Sequence, residues 1–264
     1  MYFMGIDIGS LSCDVALIDD NMNIIATSVI PTGARNIEAI ENAKKLALSE
    51  AGVMESDITA TVSTGYGRRR VNTRLESVTE ITCHARGMNS LLEGTRVLID
   101  IGGQDSKAIF LGKNGQVLDF AMNDKCAAGT GRFLEAMARA LQVDIEQLSK
   151  LDYGAKKNLT ISSMCTVFAE SEVVSLVAEG IEVNEIVSGL NRSIATRTSS
   201  LIKRICPDLK DFSIAMSGGV ANNSGVVRAL SKALERDIII PPKPDTVGAL
   251  GAAIIAGEHW LAKK

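Results

Sequence analysis

A strand, an Asp-Ile-Gly turn and a return strand occur twice in this chain of 264 residues. The first copy spans Tyr2 to Asp19 around Asp7-Ile8-Gly9-Ser10. The second spans Val97 to Leu111 around Asp100-Ile101-Gly102-Gly103. The offset is 100 − 7 = 93 residues, which is the scale of a domain and not of a solenoid repeat. The repeat therefore predicts two similar halves that face each other.

The order of predicted elements indicates an α/β fold. Each copy of the repeat continues into a third strand, ending near Val29 in the first copy and near Met122 in the second. Apolar residues at helical spacing then predict helices. These helices cover Asn36–Ala51, Glu80–Leu92, Gly131–Leu141, a segment from Cys165 to Glu179, Val183–Ile205, Asn223–Glu235 and Val247–Trp260. In the segment after Cys165, we expect Val167, Val174, Leu176 and Val177 to face inward.

The composition excludes several classes of protein. A net charge of -3 and 46% apolar residues are typical of a soluble globular chain. The start lacks a basic and apolar leader, and no apolar run approaches the roughly 18 residues of a spanning helix. We therefore expect a cytoplasmic protein without a membrane partner. Basic clusters are absent apart from Arg68-Arg69-Arg70, so we expect no nucleic acid; that run is interpreted as a solvated turn or an anion contact.

Five cysteines lie far apart in the sequence, and the odd number favours reduced thiols over a disulfide framework. Cys126 and Cys165 each precede a predicted helix, whose N-terminal partial positive charge favours a thiolate. Spacing by itself leaves the more ordinary alternative open, that both are buried structural thiols. Two thiolates are too few for a four-cysteine cluster in one subunit, but a two-fold homodimer would supply four.

Three glycine turns follow predicted strands, namely the two Asp-Ile-Gly turns and Ser217-Gly218-Gly219-Val220. Glycine allows backbone N–H groups to approach phosphate oxygens and form an anion-binding nest. The carboxylates of Asp7 and Asp100 would repel a polyphosphate unless a cation lay between them. The three turns therefore predict a nucleotide site that uses Mg²⁺.

This array resembles the superfamily of actin, sugar kinases and heat-shock chaperones, in which two ribonuclease-H-like domains close on ATP. The resemblance implies domains at residues 1–92 and 93–264, with the C-terminal helix completing the first and both Cys126 and Cys165 in the second. Small residues at Gly248 to Ala253 suit close packing of that helix on another. The implied nucleotide-binding residues are Gly9, Ser10, Leu11, Ser12, Cys13, Asp14, Gly102, Gly103, Gln104, Lys107, Gly218, Gly219, Asp245 and Gly248.

A closer resemblance is to the activator component of 2-hydroxyacyl-CoA dehydratases, a family that includes the ATPase subunits of benzoyl-CoA reductases. It is carried by Asn123-Asp124-Lys125-Cys126-Ala127-Ala128-Gly129-Thr130-Gly131, Cys165-Thr166-Val167-Phe168-Ala169-Glu170, Thr64-Gly65-Tyr66-Gly67-Arg68, Ser77 to His84 and Ile99 to Asp105. The resemblance implies one [4Fe-4S] cluster, held between the subunits of a homodimer by Cys126 and Cys165 of each. Gly129 to Gly131 are expected to link this cluster to the nucleotide cleft.

The implied activity is ATP hydrolysis coupled to transfer of one low-potential electron, from ferredoxin or flavodoxin to an iron-sulfur dehydratase or reductase. Gln104 and Asp105 are candidates for placing the attacking water, and Asp7 and Asp100 for holding the catalytic Mg²⁺ beside ATP/ADP. Two positions depart from the family pattern, which has threonine at position 11 and lysine at position 14 where this chain has Leu11 and Asp14. We expect weaker nucleotide binding unless Lys107 or Mg²⁺ compensates.

Other functions compatible with the same cradle are activation of a double-cubane-cluster reductase, a small-molecule kinase, and an actin-like filament or chaperone module. The last two would not need the thiols of Cys126 and Cys165. The remaining cysteine side chains and both histidines are assigned to packing or surface roles; these are Cys13, Cys83, Cys206, His84 and His259.

Overall fold

The computed structural model describes residues 1–71, 74–162, 164–209 and 212–263, and within them lie two five-stranded sheets and seven α-helices. The strands are β1 (Tyr2–Ile8), β2 (Ser12–Asp19), β3 (Ile24–Pro31), β4 (Ile58–Thr64), β5 (Glu76–Ser77), β6 (Thr95–Ile101), β7 (Ser106–Leu111), β8 (Val117–Asn123), β9 (Ser213–Ser217) and β10 (Ile238–Ile239). The helices are α1 (Asn36–Ala51), α2 (Glu80–Leu91), α3 (Gly131–Leu141), α4 (Thr166–Ala178), α5 (Val183–Ile205), α6 (Ser224–Leu234) and α7 (Val247–Leu261).

The two sheets have the same topology, which confirms the predicted duplication. Their orders are β3-β2-β1-β4-β5 and, read in the same sense, β8-β7-β6-β9-β10. In both sheets the first three strands pair antiparallel and the last two add in parallel. The turns repeat as well: Gly9 N–H donates to Ser12 O at 2.9 Å, and Gly102 N–H donates to Asp105 O at 3.0 Å.

Helices α2 and α7 pack closely against each other, as the small residues near Gly248 predict. A Cβ atom added at Gly251 would lie 1.7 Å from the carbonyl oxygen of Cys83, and one at Gly87 would lie 2.1 Å from that of Val247. Apolar residues of α7 also pack on the first sheet, whereas Met88 of α2 packs on the second. The two helices therefore lie between the sheets. The domain boundary at residue 92 stays a prediction.

Helix α4 presents to solvent most of the apolar side chains that we expected to be buried. Val167, Val174 and Val177 are 65%, 55% and 45% exposed, so their predicted inward orientation is wrong. The buried positions are Ala169 and Val173, and the partly buried Leu176 packs on the same core. Because α4 is apolar on nearly every side, its sequence pattern could not define which face turns inward.

The largest apolar core lies in the second half, between the second sheet and helices α3, α5 and α6. Smaller clusters lie on both faces of the first sheet, against α1 on one face and α7 on the other. In the described ranges, none of the helices combines the length and the apolar character that crossing a membrane would require.

Candidate active site

The three glycine turns line one cleft of about 490 Å³ between the two sheets. They follow β1, β6 and β9, so the carboxyl ends of strands from both halves meet at this cleft, as is usual for ligand sites of α/β folds. The predicted site residues that line it are Asp7, Gly9, Ser10, Leu11, Ser12, Asp14, Asp100, Gly102, Gly103, Asp105, Lys107, Gly218, Gly219 and Asp245.

Three predicted nucleotide-binding residues do not line the cleft, and the structure corrects their placement. Cys13 alternates along β2 with Ser12 and Asp14, so its side chain points to the opposite face and is fully buried in the core. Gln104 is exposed at the tip of the second turn. Gly248 lies behind the cleft wall, where a Cβ atom would be 2.2 Å from Oδ2 of Asp7.

The second turn carries a buried ion cluster centred on Lys107. Its Nζ lies 2.8 Å from Glu80 Oε2, 3.1 Å from Asp100 Oδ2 and 2.8 Å from Asp105 Oδ2. Burial opposes the charge on Lys107, but these carboxylates raise its pKa well above the usual value. Burial likewise opposes the charge on Asp100, yet the nearby cations of His84 and Lys107 hold its pKa down at about 2. Lys107 thus offsets part of the negative charge around the second turn.

The first turn has an acidic residue, Asp14, where the second turn has Lys107. Asp14 is 5% exposed and faces Asp7 across the β1–β2 ladder. Its Oδ2 accepts a hydrogen bond from Ser12 Oγ at 3.0 Å, whereas among the described residues no donor reaches Oδ1. Burial, and then the charge of Asp7, raise the pKa of Asp14 well above its usual range. A buried carboxylate in this state requires a proton or a cation.

His84 is buried in the wall of the cleft and makes polar contacts that its assignment to a packing or surface role did not anticipate. Its Nε2 lies 3.6 Å from Asp7 Oδ2 and its Nδ1 lies 3.4 Å from Asp100 Oδ1. The Oγ of Ser217 is 3.1 Å from the same Nδ1. Burial would lower the pKa of His84, but Asp100 and Asp7 raise it above the usual value. His84 therefore links the carboxylates of both halves.

Sequence reasoning also missed Glu80, which lies one helical turn before His84 on α2. Residues four apart lie on the same face of a helix, so this spacing could have suggested that both side chains enter the cleft. What the spacing could not supply is the position of α2 between the two sheets.

The third turn and Asp245 form one polar wall of the cleft. Gly218 has a φ of 84°, and a Cβ atom there would lie 2.4 Å from the carbonyl oxygen of Ile101, so the turn requires glycine. The N–H of Gly218 donates to Pro244 O at 2.9 Å. Asn222 Nδ2 donates to Asp245 Oδ2 at 2.7 Å, which fixes the carboxylate beside the turn.

The five cysteines divide into two groups by burial. Cys126 and Cys165 are partly exposed, whereas the other three are buried. Burial raises the pKa of Cys83 to about 12 and also raises the pKa values of Cys13 and Cys206, so these thiols are protonated and unreactive. In the described part of the chain, no group of three or more His, Cys, Asp or Glu side chains is arranged so that it could hold a metal ion.

The two exposed thiols belong to neighbouring segments, but only one lies at a helix N-terminus. Cys126 Sγ is 3.5 Å from the carbonyl oxygen of Met164, next to Cys165, and Cys165 is the N-cap residue of α4. The N-cap of α3 is Thr130, so Cys126 precedes its helix through a short loop of residues 127–129, as the predicted helix start at Gly131 implies. Within this loop, Ala128 N–H donates to Cys126 Sγ at 3.5 Å.

Hydrogen bonds connect the second glycine turn to the start of α3. Gly131 N–H donates to Gly102 O at 2.9 Å, and Arg132 N–H donates to Gly103 O at 2.9 Å. Thr130 Oγ1 also donates to Gly103 O at 2.9 Å. The start of α3 is thus bonded to the turn, and the short loop before it carries Cys126.

Two repeated halves around a glycine-lined, acidic cleft define an ATPase of the actin and sugar-kinase fold. The chain matches the family described as the BadF/BadG/BcrA/BcrD ATPase family over residues 4–256, and it belongs to that family. The predicted α/β fold and ATPase class are therefore confirmed.

Several relatives of the chain are named as dehydratase activators. The chain is 45% identical to the activator of lactoyl-CoA dehydratase of Anaerotignum propionicum, over 98% of each chain. It is 43% identical to the 2-hydroxyisocaproyl-CoA dehydratase activator of Clostridioides difficile, over 98% of this chain and 96% of the relative. A solved structure of the activator of the 2-hydroxyisocaproyl-CoA dehydratase from Clostridium difficile, with bound ADPNP, is also similar. It superposes on this chain with a TM-score of 0.92 at 42% sequence identity, and the superposition covers 100% of this chain and 97% of the activator chain. The predicted resemblance to this family is confirmed.

Proposed function

We propose that this chain is an ATP-hydrolysing activator that passes one low-potential electron to an iron-sulfur dehydratase or reductase of the 2-hydroxyacyl-CoA dehydratase type. The observation that carries the proposal is the set of hydrogen bonds that the start of α3, close to Cys126, donates to the carbonyl oxygens of Gly102 and Gly103. A change at the phosphate turn would move α3 and the loop of Cys126 with it. Such coupling is what an ATP-driven electron donor needs.

The nucleotide would lie across the three turns. Backbone N–H groups of the turns at Gly9 and Gly102 would receive phosphates, and Gly218, Gly219 and Asp245 would flank the adenosine. Asp7 and Asp100 would hold Mg²⁺, directly or through water, and the ion would offset the charge of the phosphates and of the nearby Asp14.

We assign the placement of the attacking water to Asp105 in preference to Gln104. Asp105 lines the cleft and is only 3% exposed, whereas the side chain of Gln104 lies outside it. Contacts with Lys107 Nζ at 2.8 Å and Tyr66 Oη at 3.4 Å fix the Asp105 carboxylate. A fixed carboxylate can orient a water molecule for attack on the γ-phosphate.

Cys126 and Cys165 would hold one [4Fe-4S] cluster together with the same two residues of a second subunit. Two accessible thiols per chain are half of the four-thiolate set, which supports a homodimer. The exposed Met164, Val167 and Phe168, adjacent to Cys165, fit burial in such an interface. When bound, the cluster stores one electron from ferredoxin or flavodoxin and passes it on.

The test is the iron and sulfide content of the protein purified without oxygen. We expect about four iron atoms per two chains in the wild type, and loss of most of them in Cys126→Ser or Cys165→Ser. Cys206→Ser, which changes a buried thiol outside this pair, is the matched control and should keep its iron. A wild type without iron, or a Cys126→Ser variant with its full complement, would contradict the proposal.

A further inference from the structure

A second cavity of about 500 Å³ adjoins the nucleotide cleft. Gly9, Ser10 and Tyr66 line both cavities, so the first glycine turn and one tyrosine form the boundary between them. Its remaining wall includes Arg68, Arg69 and Arg70. We call this cavity the arginine pocket. The predicted function assigns nothing to it.

The charge of the arginine pocket is strongly positive. Three arginines line it, and none of the described residues in its wall is acidic. Arg68 NH1 donates to Gly65 O at 3.1 Å and braces the loop, whereas Arg69 and Arg70 are exposed and, among the described residues, form no ion pair. The 16-residue helix α1 begins in the same wall without a side-chain cap, so its first N–H groups add partial positive charge.

The neighbouring cleft has the opposite charge. Seven acidic side chains line it against one lysine and one histidine, and Lys107 is already paired with three of them. A free phosphate ion formed there is repelled as soon as it is no longer bonded to the nucleotide. The adjoining arginines offer the geometry that suits phosphate oxygens, two parallel N–H donors from each guanidinium.

Tyr66 occupies the boundary at the point where the terminal phosphate would lie. Its hydroxyl is 3.4 Å from Asp105 Oδ2, and its side chain is 52% exposed. Partial burial, and then the charges of Asp105 and Glu80, raise the pKa of Tyr66 to about 12, so the hydroxyl stays protonated, and its single proton can turn from Asp105 to an anion. Ser10 Oγ, on the same boundary, has no partner among the described residues.

We infer that the arginine pocket binds the inorganic phosphate that ATP hydrolysis releases and forms its exit from the cleft. The ligand is a phosphate dianion held by Arg69 and Arg70 beside Tyr66. This inference rests on the ATPase activity of the family and not on the iron-sulfur cluster, so the iron measurement and the test below can fail independently.

The test uses the full chain, purified without oxygen, and radiolabelled inorganic phosphate in equilibrium dialysis. We expect the protein loaded with ADP to bind one phosphate per chain. Binding should persist when a non-hydrolysable ATP analogue fills the terminal phosphate position. The double variant Arg69→Ala/Arg70→Ala should weaken phosphate binding at least about tenfold, and Arg69→Lys/Arg70→Lys should retain part of it because the charge is kept.

Two controls separate this effect from misfolding. Arg204→Ala, an exposed arginine near the end of α5 that lines neither cavity, should bind phosphate as the wild type does. The affinity of each variant for ADP should be unchanged. A second measurement follows phosphate produced in the cleft during a single turnover of ATP. Acid quenching reports when phosphate is formed, and a fluorescent phosphate sensor reports when it is released. In the wild type, release should occur later than formation, and the double alanine variant should shorten this delay.

Three results would overturn the inference. The first is that the wild-type protein shows no saturable phosphate binding. The second is that the ATP analogue abolishes phosphate binding. The third is that the double alanine variant binds phosphate with wild-type affinity or leaves the delay in phosphate release unchanged. The second result would place the phosphate in the nucleotide cleft instead. If the wild type hydrolyses no ATP, the assignment as an ATPase fails, while dialysis still reports on the pocket.

Discussion

The two Asp-Ile-Gly turns are equivalent in backbone but differ in the charge of the residue that faces the aspartate. Each begins with an aspartate, and the residue facing it across the hairpin is Asp14 in the first turn and Lys107 in the second. These two positions are again 93 residues apart. Asp100 therefore has an ion-pair partner at 3.1 Å, whereas Asp7 faces another carboxylate.

This difference indicates a division of labour within a duplicated framework. The second turn has a lysine of the chain itself opposite its aspartate, is hydrogen-bonded to α3 and is suited to transmit movement. The first turn has a second carboxylate at that position, whose charge a bound cation can offset. The two turns thus share a backbone and differ in the residue that faces the aspartate.

The largest effect should follow from removing the cation of the second turn. Lys107→Met leaves Glu80, Asp100 and Asp105 buried without their shared partner, so we expect the free energy of unfolding in urea to fall by about 3–5 kcal/mol. Lys113→Met, at an exposed lysine between β7 and β8, is the control and should change it by less than about 0.5 kcal/mol. Equal stability of the two variants would show that the ion cluster is not what holds this turn.

A smaller effect should follow from placing a lysine opposite the aspartate of the first turn, as the second turn has. Asp14→Lys would place a cation opposite Asp7 and remove a negative charge beside the phosphates, so ADP should bind about tenfold more tightly, or about 1.4 kcal/mol. Calorimetric titration with ADP measures this, and Asp14→Asn, which only removes the charge, should fall in between. Asp237→Lys, at an exposed position outside the cleft, is the control. Weaker ADP binding by Asp14→Lys would instead indicate that Asp14 itself is needed to hold Mg²⁺.

The smallest effect concerns His84, which joins the two turns. Its pKa is raised in the folded protein, so the stability it contributes is fully present below its unfolded pKa of about 6.5 and is lost as the pH rises through the folded value. The melting temperature of the nucleotide-free wild type should therefore fall over this range more steeply than that of His84→Gln. Asp14 also has a raised pKa and acts in the same direction, so the difference between the two proteins isolates His84.

His259→Gln provides the matched control, because His259 lies at the exposed end of α7 and not in the cleft. The melting temperature of this variant should fall with rising pH as steeply as that of the wild type, because His84 is still present. Parallel pH profiles for wild type and His84→Gln would mean that the histidine does not link the halves through its charge.

The sequence by itself determined the parts of this protein that are local and repeated. Strand alternation, the Asp-Ile-Gly turns and the helical spacing near Gly131 each depend on neighbours along the chain, so the duplication, the glycine turns and most helices could be predicted. Membership of the ATPase family followed because the motifs around Cys126 and Cys165 are specific.

Only the tertiary structure decided which side chains share the cleft. His84 and Glu80 reach it because α2 lies between the two sheets, and Gln104 and Cys13 fall outside it although they are adjacent in sequence to residues that line it. The outward face of α4 was equally undetermined, since a helix that is apolar on nearly every side offers no clear pattern from which to choose. Burial and charge pairing depend on contacts between residues distant in the chain, and local sequence patterns do not encode those contacts.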